Sequence, residues 1–383
     1  MARIIVGSYM VRYPLGGMMS WSLQWLVGLH RLDHEVYFVE KSTYPDSCYD
    51  PLRQANGNDF AYGLNTVTAL LERFGLRDRI CYVGYEGGYH GMQRGGVEEL
   101  FRTADLFLDL GTHGAWLEEA QRSGTATALV DGEPGYTQIR IEKLLAEGQA
   151  LPDYDSYFSN GANIGTDRST APTAGRTWKG VFNPVVPDLF PATPPPANAP
   201  FTTVMNWQSH PPLEYGGREY GQKDVEFARF MGLPGRVAVP LEVAVSGQNV
   251  PASGLEDSGW GIRDAQECTI SFDTYRDYIG ASRGEFSICK NVFVALRTGW
   301  FSDRSAAYLA SGRPVVLQDT GFSEHLPTGE GLFAVNTVEE AAAAIARIES
   351  DYERHSKAAR RIAEDCLAAE TILPGFLSGI GIQ

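Results

Sequence analysis

Six cations lie between positions 276 and 313: Arg276, Arg283, Lys290, Arg297, Arg304 and Arg313. They face three carboxylates, Asp277, Glu285 and Asp303. Six minus three is a local balance of +3, in a chain whose formal net charge is −15. A field of this sign suits a diphosphate, which also wants helix N-termini and a water-poor cleft. Arg304 falls just inside an expected helix start, which makes it the first choice for a phosphate contact. Lys290 and Arg297 flank the apolar run before it and come next. Each could instead bridge to nearby carboxylates, its stem covering apolar surface. In the other half, His113 sits where the run DLFLDLG (105–111) breaks, at the carboxyl end of an expected strand. A neutral imidazole there could take a hydroxyl proton, or could simply cap the next helix. Asp131 and Glu133 leave the strand ATALVD (126–131) together and could act as base or accept sugar hydroxyls, or be a solvated turn. Gly16 and Gly17 lie in a loop after the first strand, which alone reads as a plain flexible turn or an invitation to a dinucleotide. No G-x-G-x-x-G follows that strand, so a dinucleotide fingerprint is not expected.

The elements that would position these residues alternate with short period. VFVAL (292–296) reads as a buried parallel strand. Ser302 or Asp303 caps a short helix that stops at Ser311-Gly312. Pro314–Leu317 is a second strand and Gly331–Val335 a third, whereas 208–223 reads as a long loop and 248–265 as irregular. Thr337 with Glu340 forms a capping box for the next helix. The N-terminal half opens strand (3–10), amphipathic helix (19–32), strand (34–40), a right-handed βαβ unit. Residues 183–200 carry seven prolines in eighteen positions, which no helix or central strand accommodates. They read as a semi-rigid connector, with a binding cleft between the domains it joins. Asp153-Tyr154-Asp155 matches a D-x-D metal signature, but doubly wound domains are the wrong setting for it. His30, His90 and His355 show no ligand spacing, so no metal site is expected.

The run Gly312-Arg313-Pro314-Val315-Val316, then Thr320-Gly321-Phe322 and Glu324, then Gly331-Leu332-Phe333, then Thr337 to Ala341, resembles the nucleotide-sugar half of GT-B glycosyltransferases. It is most similar to the large, mostly retaining group with a G-x-P-V-V pattern. The opening βαβ with LDHEV resembles their N-terminal half. The resemblance implies that Gly321 lets backbone approach the donor and that Thr320 and Phe322 belong to the same turn. It further implies that Glu324 accepts hydrogen bonds from sugar hydroxyls and that His113 meets donor or acceptor. It also implies that the helix near 352–367 crosses back over the first domain. Many relatives carry a Glu-x7-Glu pair where this chain has Gly299 and Ala307.

Bulk composition sets outer bounds. A chain of 383 residues with 43% hydrophobic and 21% charged residues is long enough for two cores. The acidic balance argues against nucleic acid or an anionic membrane as main partner. Five scattered cysteines fit a reduced, cytoplasmic protein. No signal peptide or membrane-spanning run is visible.

The expected fold class is α/β, two doubly wound Rossmann-like domains facing a cleft. Residues 1–182 form the acceptor-side domain, 183–200 the linker, 201–365 the nucleotide-sugar domain and 366–383 a C-terminal tail. The expected activity is metal-independent transfer of a sugar from a nucleoside diphosphate sugar to a hydroxyl-bearing small molecule or glycan, with retention favoured. Catalytic candidates are His113, Asp131 and Glu324. Donor-binding candidates are Gly16, Gly17, Lys290, Arg297, Ser302, Arg304, Thr320, Gly321 and Phe322. No cofactor is expected beyond the nucleotide sugar as substrate, and a homodimer is left open. The alternatives are a sugar-nucleotide epimerase, or an inactive binding or partner protein on the same fold.

Overall fold

The computed structural model describes every residue except His113, His210 and Gln383. Its frame is two sheets. The first has eight strands, in the order Trp178–Gly180, Ser156–Ser159, Ala126–Asp131, Leu106–Leu110, Arg3–Gly7, Glu35–Lys41, Ile80–Val83 and Tyr89–Gly91. All its pairings are parallel except the last. The second has six parallel strands, in the order Gly261–Asp264, Leu241–Ser246, Phe201–Asn206, Gly284–Ser287, Val315–Gln318 and Leu332–Val335. Strands such as Val315–Gln318 are buried along their whole length, as expected of parallel strands covered on both faces.

Each sheet reverses its strand order at its first strand. Arg3–Gly7 lies between Glu35–Lys41 and Leu106–Leu110, and Phe201–Asn206 between Leu241–Ser246 and Gly284–Ser287. A crevice opens at the carboxyl ends of strands where such a reversal occurs. Both crevices open onto one cavity, described below.

The halves are joined by more than the proline-rich connector. One apolar cluster runs from Leu108 in the first sheet to Tyr275, Phe301 and Leu317 beside the second. Residues 161–163 dock onto the loop 298–300: Asn163 N–H donates to the Thr298 carbonyl (3.0 Å), and Gly161 bridges to Trp300. The chain then returns. The helix Ala369–Ile380 packs on the helix Gly16–Arg31, with the Trp25 and Phe376 rings edge-on at 5.2 Å. The span 366–383, expected as a tail, is therefore mostly helix.

Three local expectations are corrected. The run VFVAL is a helix, Asn291–Ala295, not a strand. Val292, Phe293 and Leu296 are buried while Val294 and Ala295 are less so, a one-sided pattern of helical period. The strand lies earlier, at Gly284–Ser287. The loop holding Gly16 and Gly17 is instead the first turn of the helix Gly16–Arg31. Residues 248–265, expected to be irregular, hold a short helix and the edge strand Gly261–Asp264.

Candidate functional site

A cavity of about 390 Å³ lies between the carboxyl ends of the two sheets. The second sheet contributes Val204, Met205 and Asn206 from its first strand, Ser246, and Lys290 just past Gly284–Ser287. The first contributes Tyr9, Gly111, the turn Asp131-Gly132-Glu133, and Asn160. Two helix N-termini close it, those of Gly16–Arg31 and of Asp303–Ala310.

Three cations share the second-sheet wall: Lys223, Lys290 and Arg304. Lys223 opens a short helix, Lys223–Phe227, and is 8% exposed. No side-chain hydrogen bond or ion pair holds its ammonium among the described residues. Burial, with Arg304 and Lys290 adding repulsion, pulls its pKa down to about 7. A buried, unpaired, readily charged lysine calls for an anion. Lys290 is paired: its Nζ donates to both carboxylate oxygens of Glu133 at 2.7 and 2.6 Å. That ion pair crosses the cavity from one half to the other.

Arg304 lines the cavity but is held from below. Its guanidinium donates to Glu285 (2.7 Å), the Val204 carbonyl (2.9 Å) and Ser287 (3.0 Å). Burial works against its charge, yet Glu285 more than offsets this and its pKa is raised. Arg304 therefore anchors two strand ends and adds positive field, with fewer N–H groups free than its sequence position suggests. Ser302 accepts from Arg304 N–H at 3.2 Å as the helix cap, beside the cavity.

Gly17 lies on the cavity wall, with room around it: an added Cβ would meet only the Tyr275 ring, at 3.9 Å. Its helix has no side-chain cap and no acidic residue in the first turn, so its free N–H groups suit an anion. Gly16 has a different reason to be glycine. A Cβ there would stand 2.4 Å from the Ser271 carbonyl oxygen, so it lets two helices meet.

The remaining candidates divide. Asp131 is fully buried, and its oxygens accept from Glu133 N–H, Gln138 Nε2 and Ser159 Oγ. Those three bonds commit it to shaping the turn. Its neighbour Glu133 carries the accessible carboxylate. Glu324 and Arg297 pair with each other at 2.5 Å, and Glu324 also meets Arg168 at 3.3 Å. Neither lines the cavity. Thr320 donates to the Trp300 carbonyl, Phe322 is buried against Phe301, and a Cβ on Gly321 would touch Asn163 at 2.6 Å. Residues 163–168 pack on this turn through Asn163 and Arg168, and none of residues 320–324 lines the cavity. His113 lies outside the described residues. Nearby in sequence, Asp109 accepts from Thr112 and Gly114 N–H and from Tyr154 Oη. Asp153 and Asp155 accept from Tyr157 and Thr127. Among the described residues no group of three or more His, Cys, Asp or Glu side chains is placed to hold a metal ion. No helix among them is long and apolar enough to cross a membrane.

Two residues escaped the sequence reading. Asn160 is 1% exposed on the cavity wall. Its Nδ2 donates to Asn183 at 2.9 Å, while its Oδ1 has no partner. Lys223 left no local signal, because Asp224 and Glu226 share the first turn of its helix and answer the macrodipole there.

Solved structures align along the whole chain. An alpha-glucosyltransferase in complex with UDP and a 13-mer DNA containing a central A:G mismatch aligns at a TM-score of 0.60 with 10% identity, covering 100% of both chains. Anabaena Alr3699/HepE in complex with UDP and glucose gives 0.56 with 12% identity over 100% of both. AviGT4, a glycosyltransferase involved in avilamycin A biosynthesis, gives 0.54 with 12% identity over 99% and 97%. No family model matches the chain, and no curated protein matches it. At such identities the likeness defines the architecture: the chain has the GT-B fold, two Rossmann-like α/β units.

Proposed function

We propose that the protein is a glycosyltransferase that moves a sugar from a nucleoside diphosphate sugar to a hydroxyl acceptor in the cavity between the sheets. The observation that carries this reading is Lys223, a buried lysine whose ammonium has no side-chain partner among the described residues, beside Lys290 and Arg304 on one wall. The departing diphosphate needs that field in a water-poor site. Lys223 and Lys290 contact its oxygens, and the N-termini at Gly17 and Ser302 add donors. The sugar then lies toward Glu133 and Asn160. Its anomeric carbon gains oxocarbenium character as the bond to phosphate breaks. A diphosphate that draws Lys290 away frees Glu133 to receive the acceptor's proton. The fold's neighbours with UDP support the donor class. One of them holds DNA, so an expected absence of nucleic acid rests on net charge alone.

The test is release of nucleoside diphosphate from a panel of nucleotide sugars. The wild type releases one of them, and Glu133→Gln slows release on the order of 100-fold or more while keeping donor affinity. Donor binding with no turnover under any acceptor would instead select the binding-protein reading, in line with Gly299 and Ala307. The resemblance favours retention, which the anomeric proton of the product reports.

A further inference from the structure

A second cavity, of about 410 Å³, opens from the first. Tyr9, Gly111 and Glu133 line both. Its walls come from the first half alone: the helix Tyr136–Ala146, the end of Ala126–Asp131, and residues 151–157. Leu129, Ile141, Leu144 and Leu151 make it apolar. Tyr154 and Tyr157 turn ring surface toward it, and their hydroxyls are spent on Asp109 and Asp153, each at 2.7 Å. A site lined this way favours a flat apolar body.

Two arginines interrupt that lining, Arg140 and Arg176. Neither forms an ion pair among the described residues, although the chain carries 47 acidic against 32 basic residues. Arg176 lies over the Tyr157 ring at 5.2 Å, donates to the Ala174 carbonyl and also hydrogen-bonds the Tyr157 hydroxyl. Its Nε is buried with no partner. A guanidinium offers a planar fork that matches a carboxylate.

We propose that this second cavity holds the acceptor, and that the acceptor is a hydroxylated aromatic compound bearing a carboxylate. Its ring lies against Tyr154, Tyr157 and Leu144, its carboxylate meets Arg140 and Arg176, and its hydroxyl points to Glu133. This rests on the donor reading above and names the substrate class it left open. The acceptor oxygen forms the new bond to the anomeric carbon. The anomeric carbon–phosphate oxygen bond breaks, and its electron pair leaves with the nucleoside diphosphate. The hydroxyl proton passes to the Glu133 carboxylate.

Calorimetric titration with 6-hydroxy-2-naphthoate and with 2-naphthol, which lacks the carboxylate, tests this on the full chain. The naphthoate binds about tenfold more tightly or better, and Arg140→Gln with Arg176→Gln removes the difference. Arg140 is exposed, so Arg140→Gln alone guards against misfolding of the double variant and shows part of the loss. Equal binding of both probes, binding of neither, or a preference that survives in the variants overturns the proposal. UDP titrated into the same samples separates the two readings. UDP binding without the naphthoate preference sinks the acceptor inference alone. The preference without UDP binding sinks the donor reading and leaves an aromatic-carboxylate site.

Discussion

Donor binding should take up a proton, and Lys223 sets where. Its pKa in the free protein is about 7, held down first by burial and then by Arg304 and Lys290. A bound diphosphate supplies the missing counter-charge and lifts that value, so the complex holds the proton across the neutral range. Affinity therefore falls as pH rises past 7, approaching tenfold per unit. Between pH 6.5 and 8.5 the charged fraction of the free protein drops from about three-quarters to about one-thirtieth, which predicts roughly 25-fold weaker binding. Uptake is about half a proton at pH 7 and nears one at pH 8.5. UDP-glucose is the right probe, because its diphosphate diester has no group titrating in this window. Calorimetry in two buffers of different ionisation enthalpy reads the uptake directly. Lys223→Met should weaken binding about 10- to 100-fold at pH 6.5, as loss of a charged hydrogen bond does, and flatten the pH dependence. Binding by the wild type that is flat from pH 6.5 to 8.5, with no buffer dependence, would refute the reasoning.

Three further perturbations follow from the packing. Arg304→Met leaves the fully buried Glu285 carboxylate without its cation and should cost about 3–5 kcal/mol in urea unfolding; near-normal stability would show that Glu285 finds another partner. Gly299→Glu restores one residue of the relatives' pair, but Gly299 sits at φ +73° and its Cβ would lie 2.8 Å from Asn163 N. Strain and crowding should cost roughly 2–5 kcal/mol, and an unchanged melting temperature would contradict that. Glu40 is buried beside Arg12, and burial pushes its carboxyl up to about 7. Its folded value lies above its unfolded one, so its contribution is complete below about pH 4.5 and is lost as pH rises toward 7. Glu40→Gln should flatten that part of the stability curve, measured by urea unfolding at pH 5 and 7.5; an unchanged slope assigns it to other groups.

The architecture was legible because parallel strands buried on both faces announce themselves. IIV at 4–6, LFLDL at 106–110 and VVL at 315–317 all fall in the expected strands. VFVAL failed because a five-residue apolar run has no period long enough to separate strand from helix. The cation field was visible as charge count, yet the count could not say which members face the cavity. Arg297 and Glu324 found each other, and Arg304 found Glu285. Lys223 stood in a segment read as loop, and only three dimensions show that its ammonium has no side-chain partner among the described residues. The Thr320–Glu324 turn has the sequence of a donor turn, but residues 163–168 of the other half cover it. That contact spans more than 150 positions, beyond the reach of local pattern.

The most direct test is calorimetric titration of the wild type with UDP, GDP and dTDP at pH 6.5, repeated on Lys223→Met. Micromolar binding of one nucleoside diphosphate, lost or strongly weakened in the variant, is the predicted result. No binding of any of the three, or binding that Lys223→Met leaves untouched, would contradict a donor site in the cavity between the sheets.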